Sequence, residues 1–244
     1  MGVSLRDLRL PPKASIVILT GAGISQESGL ATFRDVGGVW SQVRLEDVAT
    51  PEAFRRDPDR VQAFYNARRA QLNQPEIAPN PGHLALAELE ASWPGELLIV
   101  TQNIDDLHER AGNSKLLHIH GELKRRICTA CGNKDAWAED ITTSDSCLVC
   151  ATIGSLRPDV VWFGEMPYHL ERVAEALVSC DLFIAIGTSG TVYPAAGFAA
   201  EARANGAHCI EVNLEASNNP HFHDIYEGPA SETIPALVGD LLRR

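Results

Sequence analysis

The feature that most limits the fold of this chain is a short apolar run that ends in a glycine turn. Ser15, Ile16, Val17, Ile18 and Leu19 form a β-branched stretch suited to a strand buried on both faces. Thr20-Gly21-Ala22-Gly23 follows, then Ile24-Ser25-Gln26-Glu27-Ser28. A strand that ends in Gly-x-Gly turns tightly and approaches a ligand with no Cβ in the way. A helix starting near Ile24 or Ser25 would aim its free N–H groups at the same place and favour a pyrophosphate. The third glycine of the usual dinucleotide fingerprint is absent, because position 26 is Gln. From this stretch alone, an ordinary strand-to-helix turn is an equal reading. Thr32-Phe33-Arg34 then adds an aromatic face and a fixed cation soon after the glycines.

Further along, apolar strand-like runs alternate with helical stretches. Strands are expected at 97–100, 116–119, 182–186 and 209–212, and helices within 39–73 and over 83–92, 169–178, 194–205 and 233–242. Pro51 and Pro58 punctuate the first helical stretch, and Asn80-Pro81 opens the next. Residues 1–14 read as a lead-in helix and a Pro11-Pro12 turn. This alternation predicts an α/β fold, a parallel sheet with helices on both faces. Polar or glycine-rich tips follow the strands: Gly21-Ala22-Gly23, Gln102-Asn103-Ile104-Asp105, Gly187-Thr188-Ser189 and Asn213-Leu214-Glu215. In an open doubly wound sheet that edge is where ligands bind.

Cys128-x-x-Cys131 and Cys147-x-x-Cys150 are separated by fifteen residues. The spacing points to four thiolates around one zinc ion, with no position left for water or substrate, hence a structural site. Two disulfides are the alternative. Cys180 and Cys209 lie in or beside apolar strands and read as small core residues. The first residues lack an apolar leader segment, which sets the expectation of a cytoplasmic protein and favours metal over disulfides. No apolar run is long enough to span a bilayer, so no membrane partner is expected. The net charge of −11 argues against direct nucleic-acid binding and suits basic protein substrates.

Three polar residues near strand ends carry candidate chemistry. His120, just before Gly121, is placed to act as a general base; His118 shares its face two residues earlier. Asn103 can hold a water or a ribose hydroxyl, and Asp105 can fix an amide. Together with Phe33-Arg34, the four cysteines and Phe163-Gly164-Glu165, these motifs occur in the order found in sirtuins. The chain resembles an NAD-dependent protein lysine deacylase of that family from about residue 16 to 242.

The resemblance implies a Rossmann-like large domain with a doubly wound parallel sheet (1–34, 79–124 and 155–244) and a small domain. The latter is made of a helical insertion (35–78) and a zinc-binding insertion (125–154). It implies NAD as a consumed co-substrate and one structural zinc on Cys128, Cys131, Cys147 and Cys150. NAD would be held by Gly21, Ala22, Gly23, Ser25, Glu27, Phe33, Arg34, Gln102, Asn103, Ile104, Asp105, Gly187, Thr188, Ser189, Asn213, Leu214 and Glu215. His120, with Asn103 and Asp105, would be catalytic. The products would be free lysine, nicotinamide and 2′-O-acyl-ADP-ribose. The partners would be acylated lysine side chains of other proteins, lying along Val161, Trp162 and Phe163. Trp162 stands where Phe is common in the family. In the helical insertion, Tyr65 and Arg68 resemble the pair by which one sirtuin subgroup removes succinyl and malonyl groups, so succinyl, malonyl and acetyl lysine are the expected substrates. Transfer of ADP-ribose onto protein and a non-enzymatic NAD-sensing scaffold are the competing readings.

Overall fold

The structure is a computed structural model that describes residues 8, 10–30 and 44–243. Its centre is a six-stranded parallel sheet of β1 (Ile16–Thr20), β2 (Leu97–Thr101), β3 (Leu116–His118), β7 (Leu182–Ile186), β8 (His208–Asn213) and β9 (Asp224–Glu227), in the order β3-β2-β1-β7-β8-β9. The order reverses between β1 and β7, where a doubly wound sheet opens its crevice. All five residues of β1 are buried. Ile16 and Ile18 pack on one face with α4 (Pro81–Ser92) and α8 (Ala230–Leu242); Val17 and Leu19 pack on the other with α6 (Leu170–Ser179) and α7 (Phe198–Ala204). Successive side chains point to opposite faces, so a strand covered by helices on both sides must be apolar throughout. Burial of each such side chain contributes about 1.5–3 kcal/mol.

A second sheet holds the antiparallel strands β4 (Gly121–Cys128), β5 (Lys134–Ala136) and β6 (Leu156–Val160) in the order β5-β4-β6. None of these three was expected from the apolar pattern, nor was β9. Beside the small sheet stand α2 (Pro51–Arg56) and α3 (Pro58–Leu72). Each helix starts with a proline behind a capping side chain, Thr50 and Asp57, whose oxygens accept from Ala53 N and Arg60 N. The prolines therefore divide the stretch into two helices. The lead-in helix expected before residue 14, and the start of the helical stretch at 39–43, fall largely or wholly outside the described residues; the Pro11-Pro12 turn is present.

A buried histidine pair lies at the carboxyl end of β1, where His108 Nε2 is 3.0 Å from Thr20 Oγ1. His83 of α4 and His108 of α5 (Leu107–Ala111) meet ring edge to face at 5.0 Å, both essentially without solvent. Burial pushes His83 down to about 3, aided by His108, and burial pushes His108 down to about 4. Both stay neutral in the folded chain while the unfolded chain protonates them below about pH 6.5. The unfolded state then binds more protons, so their contribution to stability is present above about pH 6.5 and is lost as the pH falls toward 4. His118, held above its ordinary value, acts in the opposite sense, so the comparison is best made between variants. We expect the unfolding free energy of the wild type to drop about 1 kcal/mol more than that of His83→Leu between pH 6 and pH 5. Equal pH slopes in urea titrations would exclude this origin.

Candidate active site

The glycine turn is shaped first by its neighbour strand. Gly21 N–H donates to Ile186 O (2.9 Å) and Gly23 N–H to Gly187 O (3.0 Å). A Cβ on Gly21 would stand 2.7 Å from Gly187 O, and one on Gly23 2.7 Å from Gly187 Cα. Gly187 itself has φ +59°, in the left-handed region. The glycines thus let the tips of β1 and β7 touch at the switch point. The helix after the turn, α1 (Ala22–Gln26), starts earlier than expected.

On one side of α1 lies a cavity of about 370 Å³, lined among others by Gly23, Glu27, Gly187, Asn213 and Leu214. Gly228, Pro229 and Ala230 close its far wall. These last three were missed; the only sequence signal was a Gly-Pro pair before the last helix. Glu27 is tied down at the rim: its carboxylate accepts from Ser231 N (3.0 Å) and from the Ser231 hydroxyl at the start of α8. Asn213 Nδ2 donates to Thr188 O (3.0 Å), joining the tips of β7 and β8. The Ser189 hydroxyl bonds Thr191, and Glu215 is exposed.

On the other side a polar network forms at the end of β2. Asn103 Nδ2 donates to Gly21 O and to Ser25 Oγ, both at 3.1 Å. Ser25 Oγ donates to Asp105 Oδ2 (3.0 Å), and Leu107 N donates to Asp105 Oδ1 (3.1 Å). Burial holds the Asp105 carboxyl above its usual range, partly offset by these two donors. His120, two residues beyond β3, has Nδ1 3.0 Å from Gln102 O. A carbonyl only accepts, so Nδ1 carries the proton and Nε2 keeps its lone pair. Burial lowers the His120 pKa and the Gln102 carbonyl partly restores it, so the ring is a neutral base at pH 7. His118 differs. Its Nδ1 faces Asn103 O (3.0 Å) and its Nε2 faces Glu109 Oε1 (2.7 Å), two acceptors that require the imidazolium. Burial pushes its pKa down, but Glu109 outweighs that and holds it raised.

A second cavity, of about 30 Å³, is lined by Ser25, Ile104, Asp105 and the side chain of Arg68, with apolar walls that include Leu72 and Leu123. Burial lowers Arg68 to about 10, opposed by Tyr65 and Asp105, which leaves it charged at pH 7. Tyr65 is buried, and its hydroxyl accepts from Trp162 Nε1 at 2.9 Å. Burial raises the Tyr65 pKa, so the phenol keeps its proton. The strip 161–163 runs beside His120: Val161 N donates to His120 O (2.9 Å), Phe163 N to Ala49 O (3.0 Å) and Trp162 N to Glu165 Oε2 (2.8 Å). Trp162 is buried and Phe163 exposed. Phe33 and Arg34 lie outside the described residues.

The four cysteine sulfurs all lie within 4.8 Å of one another. Cys128 to Cys150 and Cys131 to Cys147 are each 3.7 Å. A tetrahedron with metal–sulfur bonds of about 2.3 Å has edges of about 3.8 Å, whereas a disulfide needs about 2.05 Å. The donor set therefore fits one structural zinc and not two disulfides. The hydrogen bond with Ser155 pulls the Cys128 thiol down to about 6, toward the thiolate a metal binds.

Residues 21–194 match the model of the Sir2 family. This chain belongs to the Sir2 family. The Sir2 chain is 55% identical to the NAD-dependent protein deacylase of Escherichia coli O157:H7, over 99% of this chain and 90% of that one. It is 53% identical to the protein of the same name from Bdellovibrio bacteriovorus, over 97% and 99%. Among solved structures, a Sir2 homolog–NAD complex superposes with a TM-score of 0.85 at 36% identity, covering 95% of this chain and 91% of that one. A Sir2–p53 peptide–NAD+ complex gives 0.78 at 28%, covering 94% of each. Among the described residues of this Sir2 chain, no helix is long and apolar enough to cross a membrane.

Proposed function

We propose that this chain is an NAD-dependent protein lysine deacylase that acts on succinyl-, malonyl- and acetyl-lysine in other proteins. The observation that carries the reading is the His120 ring, held by Gln102 O with Nε2 as its basic atom, beside the Ser25-Asn103-Asp105 network at the switch-point edge. Relatives named NAD-dependent protein deacylases, 53–55% identical, support it.

NAD is assigned to the crevice at the strand tips, which opens beside α1 as the cavity of about 370 Å³. The residues we assign to it are Gly21, Ala22, Gly23, Ser25, Glu27, Gln102, Asn103, Ile104, Asp105, Gly187, Thr188, Ser189, Asn213, Leu214 and Glu215, with Phe33 and Arg34. When bound it supplies the ribose carbon that takes the acyl oxygen as nicotinamide departs. The protein's part is to hold and deprotonate. Asn103 and Asp105 present fixed amide and carboxylate groups, and His120 Nε2 takes a proton from a ribose hydroxyl. Asp105 acts as an acceptor whose remaining lone pairs suit an amide. Because the N–H groups of 161–163 are already bonded, a peptide laid along this strip pairs with carbonyl groups. A large domain (1–34, 79–124, 155–244) and two insertions (35–78, 125–154) belong to the same reading. In it, β4 crosses the boundary at 124/125 and β6 begins just after 154. A cytoplasmic location belongs to the same reading.

The preference for acidic acyl groups rests on Arg68. An acetyl group ends in a methyl and needs only apolar walls, whereas a succinyl carboxylate must be paired when it leaves water. Arg68 supplies that pairing at the cavity it shares with Asp105. Asp105 carries a like charge on the same cavity, and the Arg68 cation faces and offsets it. A charge-assisted pair contributes about 1.5–3 kcal/mol, roughly 10–150-fold. Arg68→Met should therefore lower the succinyl-to-acetyl ratio of kcat/KM by about that factor, and Tyr65→Phe by less. The measurement is nicotinamide release with NAD and matched succinyl, malonyl and acetyl peptides. A wild type that ignores succinyl-lysine, or equal losses on all three peptides, would remove the acyl-carboxylate role.

A further inference from the structure

Tyr65 and Trp162 are 97 residues apart, yet their polar atoms meet inside the protein, each side chain only 3% exposed. An indole N–H can only donate, so the Tyr65 oxygen is the acceptor. A phenol O–H lies in the plane of its ring and has two favoured directions. A hydroxyl that accepts from the Trp162 N–H must turn its own proton away from that donor. Among the described residues that proton has no protein acceptor.

Trp162 is itself gripped from both ends. Its backbone N–H donates to Glu165 Oε2 at 2.8 Å. Arg157 lies over its ring, with Cζ 4.0 Å from the centroid, and is fixed by Nη2 to Glu165 Oε1 (2.8 Å). Phe54 packs against the ring at 5.4 Å. A cation on the ring face withdraws electron density and makes the indole N–H a stronger donor. The phenol that accepts this bond becomes a stronger donor in turn.

We propose that Trp162 is a positioning residue for acyl selection: through its indole N–H it holds the Tyr65 hydroxyl as a one-directional donor for the acidic acyl chain. This rests on the proposed acyl-carboxylate role of Tyr65 and Arg68. It assigns Trp162 a task that a phenylalanine at this place cannot perform, since Phe would keep the ring but not the N–H.

Trp162→Phe removes the donor and retains an aromatic ring. The expected result is a fall in the succinyl-to-acetyl ratio of kcat/KM by about 3- to 10-fold, the effect of one net hydrogen bond, carried mainly by the KM for the succinyl peptide. In a Tyr65→Phe background the same substitution should change the ratio by less than about twofold, because the bond is already gone. An unchanged ratio in the single variant, or an equal fall in both backgrounds, overturns the proposal. Arg68→Met separates the two levels. If it lowers the ratio while Trp162→Phe does not, the acyl-carboxylate reading stands and the positioning role falls; if Arg68→Met leaves the ratio unchanged, both fall. Should Trp162→Phe fail to fold, the native chain gives the answer through its indole ¹⁵N–¹H resonances, the Trp162 signal being identified by its shift in Tyr65→Phe. Under the proposal it moves more on binding succinyl-lysine peptide than acetyl-lysine peptide, and equal movement overturns it.

Discussion

Replacing His120 with Ala should lower deacylation on every acyl peptide by about 10²–10⁴-fold, the usual contribution of a general base. Among the described residues, the half-buried ring hydrogen-bonds only to Gln102 O. The variant should therefore fold and keep its zinc. The wild-type pH profile should carry the signature of the same group. Burial keeps the His120 pKa below its ordinary value of about 6.5, so the base is already free at pH 7. Activity then holds level near neutrality and falls only as the pH drops through that lowered value. The residual rate of His120→Ala should lack this acid limb. A variant with near-normal kcat/KM would show that another group takes the proton; His118, locked as an imidazolium between Asn103 O and Glu109, is not a ready substitute.

The second large effect is expected at the cysteines. Between the end of β4 at 128 and the start of β6 at 156, the apolar cluster contains only Cys128, Ile141, Cys147 and Leu156, with Trp137 against it. That is too small a core to order the segment, whereas a structural zinc contributes on the order of 10–16 kcal/mol of apparent binding energy, all of it coupled to folding. Cys147→Ser should reduce bound zinc from one ion per chain to well below one. It should also lower the thermal midpoint sharply and abolish activity as a result of unfolding. Removing zinc from the wild type with a chelator should do the same, and added zinc should reverse it. A metal-free chain that is folded and fully active would sink the assignment. The module also holds up the site: β4 starts at Gly121, next to His120, and its partner β6 leads into the strip that bonds His120 O.

Much of the large sheet was legible because its strands are buried on both faces and must be apolar along their whole length. β1, β2 and β7 announced themselves in this way, and β8 did so through Cys209, Ile210 and Val212 despite its buried Glu211. Of the tips that follow, Ala22, Gly23, Ile104, Asp105, Gly187, Asn213 and Leu214 line the two cavities. The cysteine spacing was equally direct, since tetrahedral ligation asks for two short pairs. The small sheet was not legible. β4 contains Lys124, Arg125 and Arg126, and β6 contains Arg157, Pro158 and Asp159, which read as loop. Yet all five residues of β6 are buried. The charges are matched by partners nine to twenty-five residues away: Arg126 forks onto Asp135 and lies over Trp137, and Asp159 accepts from Lys134 and Tyr168.

By itself the sequence determined the parallel sheet, the glycine turn and the metal ligands, because strict periodicity and local spacing encode each of them. Only the tertiary structure decided that the glycines are needed for contact with Gly187. It alone decided which of two neighbouring histidines keeps a free lone pair. It also set Arg68 and Asp105 on one cavity and put the Trp162 N–H on the Tyr65 hydroxyl. Those relations join residues tens to well over a hundred positions apart, and no local pattern records which buried donor will find which acceptor once the chain has closed around them.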